Sequence, residues 1–176
     1  FGASAKAGGI LPFAVLPKQE KSKRKELGVL LGNEIRKKSS GIQYFSDFGG
    51  KRENKDQTLE ETALREFEEE THNFGFEFIE NNSIEWCFWN VHGKYGVFPR
   101  LVEFVDAQTI NQHLTATKHI EGEDRKDDVA WIPLFILLEY IRKVMINNNN
   151  KIKLDRPNPI NVDYWQKNIW RETKVD

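Results

Sequence analysis

The sequence predicts a single α/β domain, and three observations carry that reading. Short apolar runs bounded by Gly, Pro or charged residues recur through the first half and read as strands. The stretch Thr58 to Thr71 is built almost entirely of helix formers, without Gly or Pro. Near the other end, VAWIPLFILLEYIRKVM passes from a strand pattern into a buried-helix pattern. The chain has 176 residues, the size of one globular domain with at most a terminal appendage. Hydrophobic residues make up 39% and aromatics 12%, enough for a core even with 30% charged residues, so wholesale disorder is excluded.

Taken in order, FGASAKAGG (residues 1–9) reads as a cloning remnant or flexible start, and residues 10–176 as the domain proper. Ile10 to Pro17 and Glu26 to Gly32 read as two strands joined by an exposed basic hairpin loop, KQEKSKRKE. IQYFSDFGGK is a strand feeding the turn at Gly49 and Gly50. In the helix that follows, Thr58 has Glu61 three positions later, the spacing of a capping box. SIEWCFWNVHG and YGVFPRLVEFVD, separated by His92 to Tyr95, form a β-hairpin in which Pro99 suits a bulge or an edge. Ala107 to Asp128 is polar and acidic and is assigned no regular element; a short strand and a helix from Pro133 to Asn147 follow it. Asn147 to Asn150 is a low-complexity surface loop, and residues 158–176 form a C-terminal tail whose Trp165 and Trp170 serve either an interface or the body of the domain.

Lys plus Arg total 26 and Asp plus Glu 27, a formal net charge of −1, so no global field draws the chain to nucleic acid or an anionic membrane. Apolar runs stop near ten residues, far short of the roughly 20 a bilayer needs. Cys87 is the only cysteine, which excludes an internal disulfide and a thiolate zinc site and fits an intracellular, cytoplasmic protein. Oligomeric state is left open by the sequence.

The chemistry-bearing stretch is GGKRENKDQTLEETALREFEEETHNFGF. Glu66, Glu69 and Glu70 stand at i, i+3 and i+4 of the predicted helix, on neighbouring positions of its surface. With Leu59 at zero and about 100° per residue, Glu66 and Glu70 fall at about −20° and 20°, within the azimuth of Ala63 and Phe67 at about 40° and 80°. Glu69 falls at about −80°, while Glu61, Glu68 and Arg65, at about 200°, 180° and 240°, take the opposite, solvated side. A helix that aims carboxylates along its apolar stripe needs a compensating positive charge. A hard divalent cation, Mg²⁺ or Mn²⁺, suits carboxylate oxygens and brings phosphate-bearing ligands with it.

Gly50, Arg65, Glu66, Phe67, Glu69 and Glu70 resemble the Nudix signature G-x5-E-x7-R-E-U-x-E-E-x-G-U, in which U is aliphatic or aromatic, and Ala63 is also habitual there. The resemblance implies a Nudix α/β/α sandwich with a mixed sheet between helices. It implies hydrolysis of a nucleoside diphosphate linked to another group, with water attacking phosphorus at a metal site. Glu66, Glu69 and Glu70, joined by the Gly50 carbonyl, are then the expected metal ligands, and Arg65 orients a glutamate. Three departures stand out. The interval from Gly50 to Arg65 is one residue longer than the pattern, and Asp56 or Gln57 takes the place of the early glutamate. His72 replaces the glycine that closes the helix, so the helix is expected to run on, with Asn73 or Gly75 as its left-handed cap.

Outside the motif, Glu121 and Glu123 in EGEDRKDD are candidates for a further base, against the plainer reading of an exposed acidic loop. Of Trp86 and Trp89, one is expected to face the core; Trp89 is the candidate for stacking on a base. His72, His92, His113 and His119 lack metal-pair spacing and read as structural. Lys51 and Arg52 are candidate substrate contacts, and with Lys18 to Lys25 and Arg36 to Lys38 they would form a phosphate-binding rim if the loops converge. The expected substrate is therefore a nucleotide derivative, with capped RNA among the forms that such a rim would suit. A non-catalytic nucleotide- or RNA-binding module on the same fold is the alternative.

Overall fold

The computed structural model of the chain describes residues 5–17, 25–35, 43–79, 87–90, 92–117, 126 and 128–147. Among them, β1 (Ala7–Leu16) is the hub. One of its edges is shared: Phe13 to Leu16 pair antiparallel with β2 (Glu26–Ile35), and Ala7 to Ile10 pair antiparallel with β4 (Phe48–Lys51). Along the other edge Ala7 to Phe13 run parallel to β6 (Tyr95–Leu101), which pairs in turn with β5 (Phe88–Asn90). β2 also takes β3 (Gln43–Ser46) and β7 (Asp128–Pro133), completing one mixed seven-stranded sheet.

The sheet lies between helices. Even-numbered β1 residues such as Ile10 and Ala14 face the larger core, where Phe48, Leu30, Val129 and Trp131 meet Ala63 and Phe67 of α1 (Leu59–Glu70) and Ile110 and Leu114 of α2 (Ala107–Ala116). Residues of alternate parity, Leu11, Phe13, Val29, Leu31 and Ile132, meet α3 (Leu134–Asn147) on the other face. This is the expected α/β/α sandwich.

Several local expectations change. Ala7, Gly8 and Gly9, taken from sequence as part of a flexible start, form the first pairs of the hub strand, opposite Lys51, Gly50 and Gly49. Small residues there serve close packing. A Cβ at Gly8 would meet the Leu59 carbonyl at 2.9 Å, and Cβ atoms at Gly50 and Gly96 would collide with Glu66 and Leu59. Since Gly8 is in register with both, three glycines on adjacent strands make a bare bed for α1. The IQYFSDFGGK strand is broken at Asp47 into β3 and β4, which pair with different partners. Pro99 stands in β6 just past the last β5 pair, Phe88 with Val97. The segment after residue 107, assigned no element from sequence, begins with α2, capped by the Asp106 side chain accepting from Gln108 N at 3.1 Å.

α1 starts as expected: Thr58 Oγ1 accepts from Glu61 N at 3.0 Å and Glu61 Oε2 accepts from Thr58 N at 3.2 Å. It does not run on past residue 72. It ends at Glu70, and His72 (φ 52°) and Asn73 (φ 54°) both take the left-handed conformation. His72 thus adopts the conformation that a glycine would take without strain. Its carbonyl accepts from His113 Nε2 at 2.9 Å, which gives His113 the structural role expected of it.

Phe67 is buried at the centre of this packing, 5.3 Å from the Phe48 ring and 5.2 Å from Phe76. Phe67→Ala is expected to destabilise the domain by about 3–5 kcal/mol, the range for emptying a buried aromatic site, read by urea denaturation.

Candidate functional site

The site grows from the charge pattern of α1. Leu59, Thr62, Ala63, Glu66, Phe67 and Glu70 are buried, so the helix turns two carboxylates inward with its apolar stripe. Glu66 is 8% exposed and Glu70 4%, whereas the Glu69 side chain is 47% exposed. A carboxylate in such a place must be paired or hydrogen-bonded. Each inward glutamate is neutralised by a different cation.

Glu66 lies against the bare backbone of Gly50, and its Oε1 is 2.9 Å from Arg65 Nη1. The same nitrogen is 3.0 Å from Glu69 Oε2 and 3.7 Å from Glu53 Oε1. Arg65 is not the solvated residue its azimuth suggests, because its guanidinium is enclosed by acceptors from the loop and the helix and the side chain is only 13% exposed. Its Nε and Nη2 donate to Asp56 Oδ1 and Oδ2 at 3.1 and 3.0 Å, and Nη2 also donates to the Lys51 carbonyl at 2.8 Å. Asp56, rather than Gln57, therefore stands as the acidic residue of the loop, and its Oδ2 accepts from Glu53 N at 2.9 Å as well. The Arg65 guanidinium beside it holds the Asp56 carboxyl well below its ordinary value, and Asp56 in turn holds Arg65 firmly protonated.

Glu70 is tied differently. Its Oε2 accepts from Gly49 N at 2.8 Å, and its Oε1 is 3.0 Å from Nζ of Lys126, a side chain only 1% exposed. Lys126 was not singled out by the sequence. Its Nζ also donates to Ser46 Oγ at 2.9 Å, and its stem crosses Gly32, where a Cβ would collide with it. On the sheet face away from α1, Tyr95 Oη donates to Asp47 Oδ2 at 2.8 Å across Gly9 and Gly49. Burial, then the Asp47 carboxylate, pushes the Tyr95 hydroxyl up and keeps it a donor.

Other sequence candidates separate by place. Lys51 is exposed at the end of β4. The Arg52 fork is spent on the loop, donating to the Asp56 carbonyl at 3.1 Å and the Gln57 carbonyl at 2.7 Å. Trp89 is half-buried on β5 opposite Gly96, on the α1 side of the sheet. Glu121, Glu123, Trp86, Lys18 to Arg24, Arg36 to Lys38 and the tail lie outside the described residues. Among the described residues no group of three His, Cys, Asp or Glu converges as a metal cage. A cavity of about 210 Å³ beside Phe67, Phe76 and Phe78 contains none of the three glutamates. Also among the described residues, no helix is long and apolar enough to cross a membrane.

Two outcomes test this geometry. Because the folded Asp56 carboxyl titrates below its ordinary 3.8, its contribution is fully present above about pH 4 and is lost as pH falls through the folded value. Asp56→Asn should cost about 1–3 kcal/mol at pH 7, the scale of hydrogen bonds to a charged group, with the difference from wild type narrowing from about pH 4 downward in urea titrations. Gly50→Ala should displace the Glu66 carboxylate and lower thermal stability, whereas Gly75→Ala, which meets no atom closer than 4.0 Å, should be strained only by its φ of 77°.

No family model matches the chain, and no curated protein matches it. Solved structures do. A mutT/nudix family protein from Listeria innocua is 18% identical, with 76% of this chain and 80% of that one covered and a TM-score of 0.43. Shewanella oneidensis NrtR is 20% identical, with 75% and 53% covered and a TM-score of 0.34, so the chain spans about half of its length. The Nudix domain of NrtR, solved in complex with ADP ribose, is 19% identical, with 79% of each chain covered and a TM-score of 0.38.

Proposed function

We propose that this chain is a Nudix-type, divalent-metal-dependent hydrolase that cleaves a pyrophosphate bond in a nucleoside diphosphate derivative. The observation that carries the reading is the convergence of Glu66 and Glu69 on one cationic position, 2.9 and 3.0 Å from Arg65 Nη1, beside the bare backbone of Gly50. Their oxygens are hard donors, and a cation such as Mg²⁺ is commonly held by one or two carboxylates with water and substrate phosphates completing the shell. In their chemistry these donors suit Mg²⁺ or Mn²⁺, and Arg65 Nη1 marks the point where their negative charge concentrates.

When bound, such an ion neutralises charge on the phosphoryl oxygens and makes its water more acidic. The chain's own residues do the rest. Glu66 and Glu69 hold the ion, with the Gly50 carbonyl at the same turn. Arg65 fixes both carboxylates and is itself fixed by Asp56, so the ligands are oriented before substrate arrives. Glu70 holds the turn by accepting from Gly49 N. The exposed Lys51 ammonium meets a substrate phosphate, Trp89 offers a ring to a base, and Glu121 or Glu123 accepts the proton of the attacking water. Arg65 also neutralises both metal-binding glutamates, and this favours a second reading, a nucleotide- or RNA-binding module without turnover.

A hydrolysis screen with Mg²⁺ or Mn²⁺ over nucleoside triphosphates, nucleoside diphosphate sugars, dinucleoside polyphosphates and capped RNA separates the two, with products resolved by mass. Turnover is expected to fall by about two orders of magnitude or more in Glu66→Gln and Glu69→Gln, the scale for losing one transition-state stabiliser. Binding of these compounds without metal-dependent product, or turnover indifferent to both substitutions, would overturn the hydrolase reading.

A further inference from the structure

We infer that residues 158–176 of this same chain cover the outer face of α3, through a helix whose Val162, Trp165 and Ile169 seat antiparallel on Ile141, Leu138 and Phe135. This cover does not depend on the hydrolase reading.

α3 spends only one side on the sheet, where Leu134, Ile136, Leu137 and Tyr140 pack against Val29, Leu31 and Ile132. Phe135, Leu138 and Ile141 are 54%, 55% and 43% exposed. Their spacing of i, i+3 and i+6 makes one continuous apolar stripe along the helix, and large apolar side chains grouped in water mark a surface that takes a partner. The stripe continues onto the sheet. Pro133, just before α3, pairs with Gly28; the next residue along β2, Leu27, stands opposite Val15, and both are exposed.

The occupant follows in the chain. α3 ends at Asn147 and residues 148–176, outside the described residues, come after it. Asn158 followed by Pro159 is a helix-start pair, a cap and a first-turn residue. Beyond them Val162, Trp165 and Ile169 stand at i, i+3 and i+7, flanked by Asn161, Gln166 and Asn168, the spacing of an amphipathic stripe. Laid antiparallel, the two stripes match step for step: Val162 with Ile141, Trp165 with Leu138, Ile169 with Phe135. At about 100° per residue Trp170 falls about 100° round from the centre of the stripe, outside the contact. Residues 148–157 can span about 33 Å, well beyond the roughly 10 Å between packed helix axes, and a link of this kind makes antiparallel neighbours of the helices it joins.

Fluorine NMR of the full chain labelled with 5-fluorotryptophan tests this, with each resonance assigned by its Trp→Phe variant. In wild type the Trp165 resonance is expected away from its position in urea and that of Trp170 close to it. Leu138→Glu, at an exposed position, should return Trp165 to its urea position while the buried Trp131 stays where it was. Trp165 already at its urea position in wild type, or displaced but indifferent to Leu138→Glu, would overturn the inference. So would a Trp165 resonance that moves on dilution alongside a dimer in sedimentation, because a second copy would then be the cover. If Leu138→Glu also loses the Trp131 shift, a disulfide test in a Cys87→Ser background decides. Leu138→Cys with Trp165→Cys should close within one chain on air oxidation, whereas Leu138→Cys with Trp170→Cys should not; equal closure of the two, or closure only between chains, would overturn the inference.

Discussion

Two carboxylates on the apolar stripe of one helix set the constraint that the rest of the structure answers. Glu66 and Glu70 are buried with Ala63 and Phe67, and an ionised carboxylate in that position costs several kcal/mol unless a cation or N–H groups meet it. The fold meets each by separate means. Arg65 serves Glu66 together with Glu69 on the outer flank, and Lys126 serves Glu70 with Gly49 N beneath. Asp56 holds Arg65 and the Ser46 hydroxyl holds Lys126, so each neutralising cation is itself fixed.

That arrangement requires the helix to lie very close to the sheet. Gly8, Gly50 and Gly96 stand in register on adjacent strands, and any side chain there would push Leu59 or Glu66 outward. The same pairing brings Gly9 opposite Gly49 on the other face, where the Tyr95 and Asp47 side chains fill the room. The glycines thus place the acidic face of α1 against the turn at the end of β4. The Arg100 guanidinium, half of a pair with Glu60 and itself buried, ties β6 to the first turn of the helix. The positions of Glu66 and Glu69 therefore rest on hub-strand packing several residues away.

Much of this was legible in the sequence. The capping box, the helix-forming run and the azimuths of Glu66 and Glu70 are local properties, and local periodicity reads them well. Azimuth puts Arg65 on the solvated side because it describes where a Cβ points, not where a long side chain ends. Asp56 and Gln57 could not be separated by spacing, since the loop's path decides which one reaches Arg65. Ala7 to Gly9 looked flexible because small residues suit both a loose end and a close approach. The first turns of α2 carry apolar residues at Ala107, Ile110 and Leu114, a helical spacing hidden among polar neighbours. Lys126 left no local signal at all, because its meaning comes from Glu70 and Ser46, which only the tertiary fold brings to it.

Separate neutralisation of the two buried glutamates, Glu66 by Arg65 and Glu70 by Lys126, is the central claim. A crystal structure of the chain measures it directly. The account expects the Arg65 guanidinium within hydrogen-bonding distance of Glu66 and the Lys126 ammonium within hydrogen-bonding distance of Glu70. Either carboxylate found buried without its basic partner would contradict it.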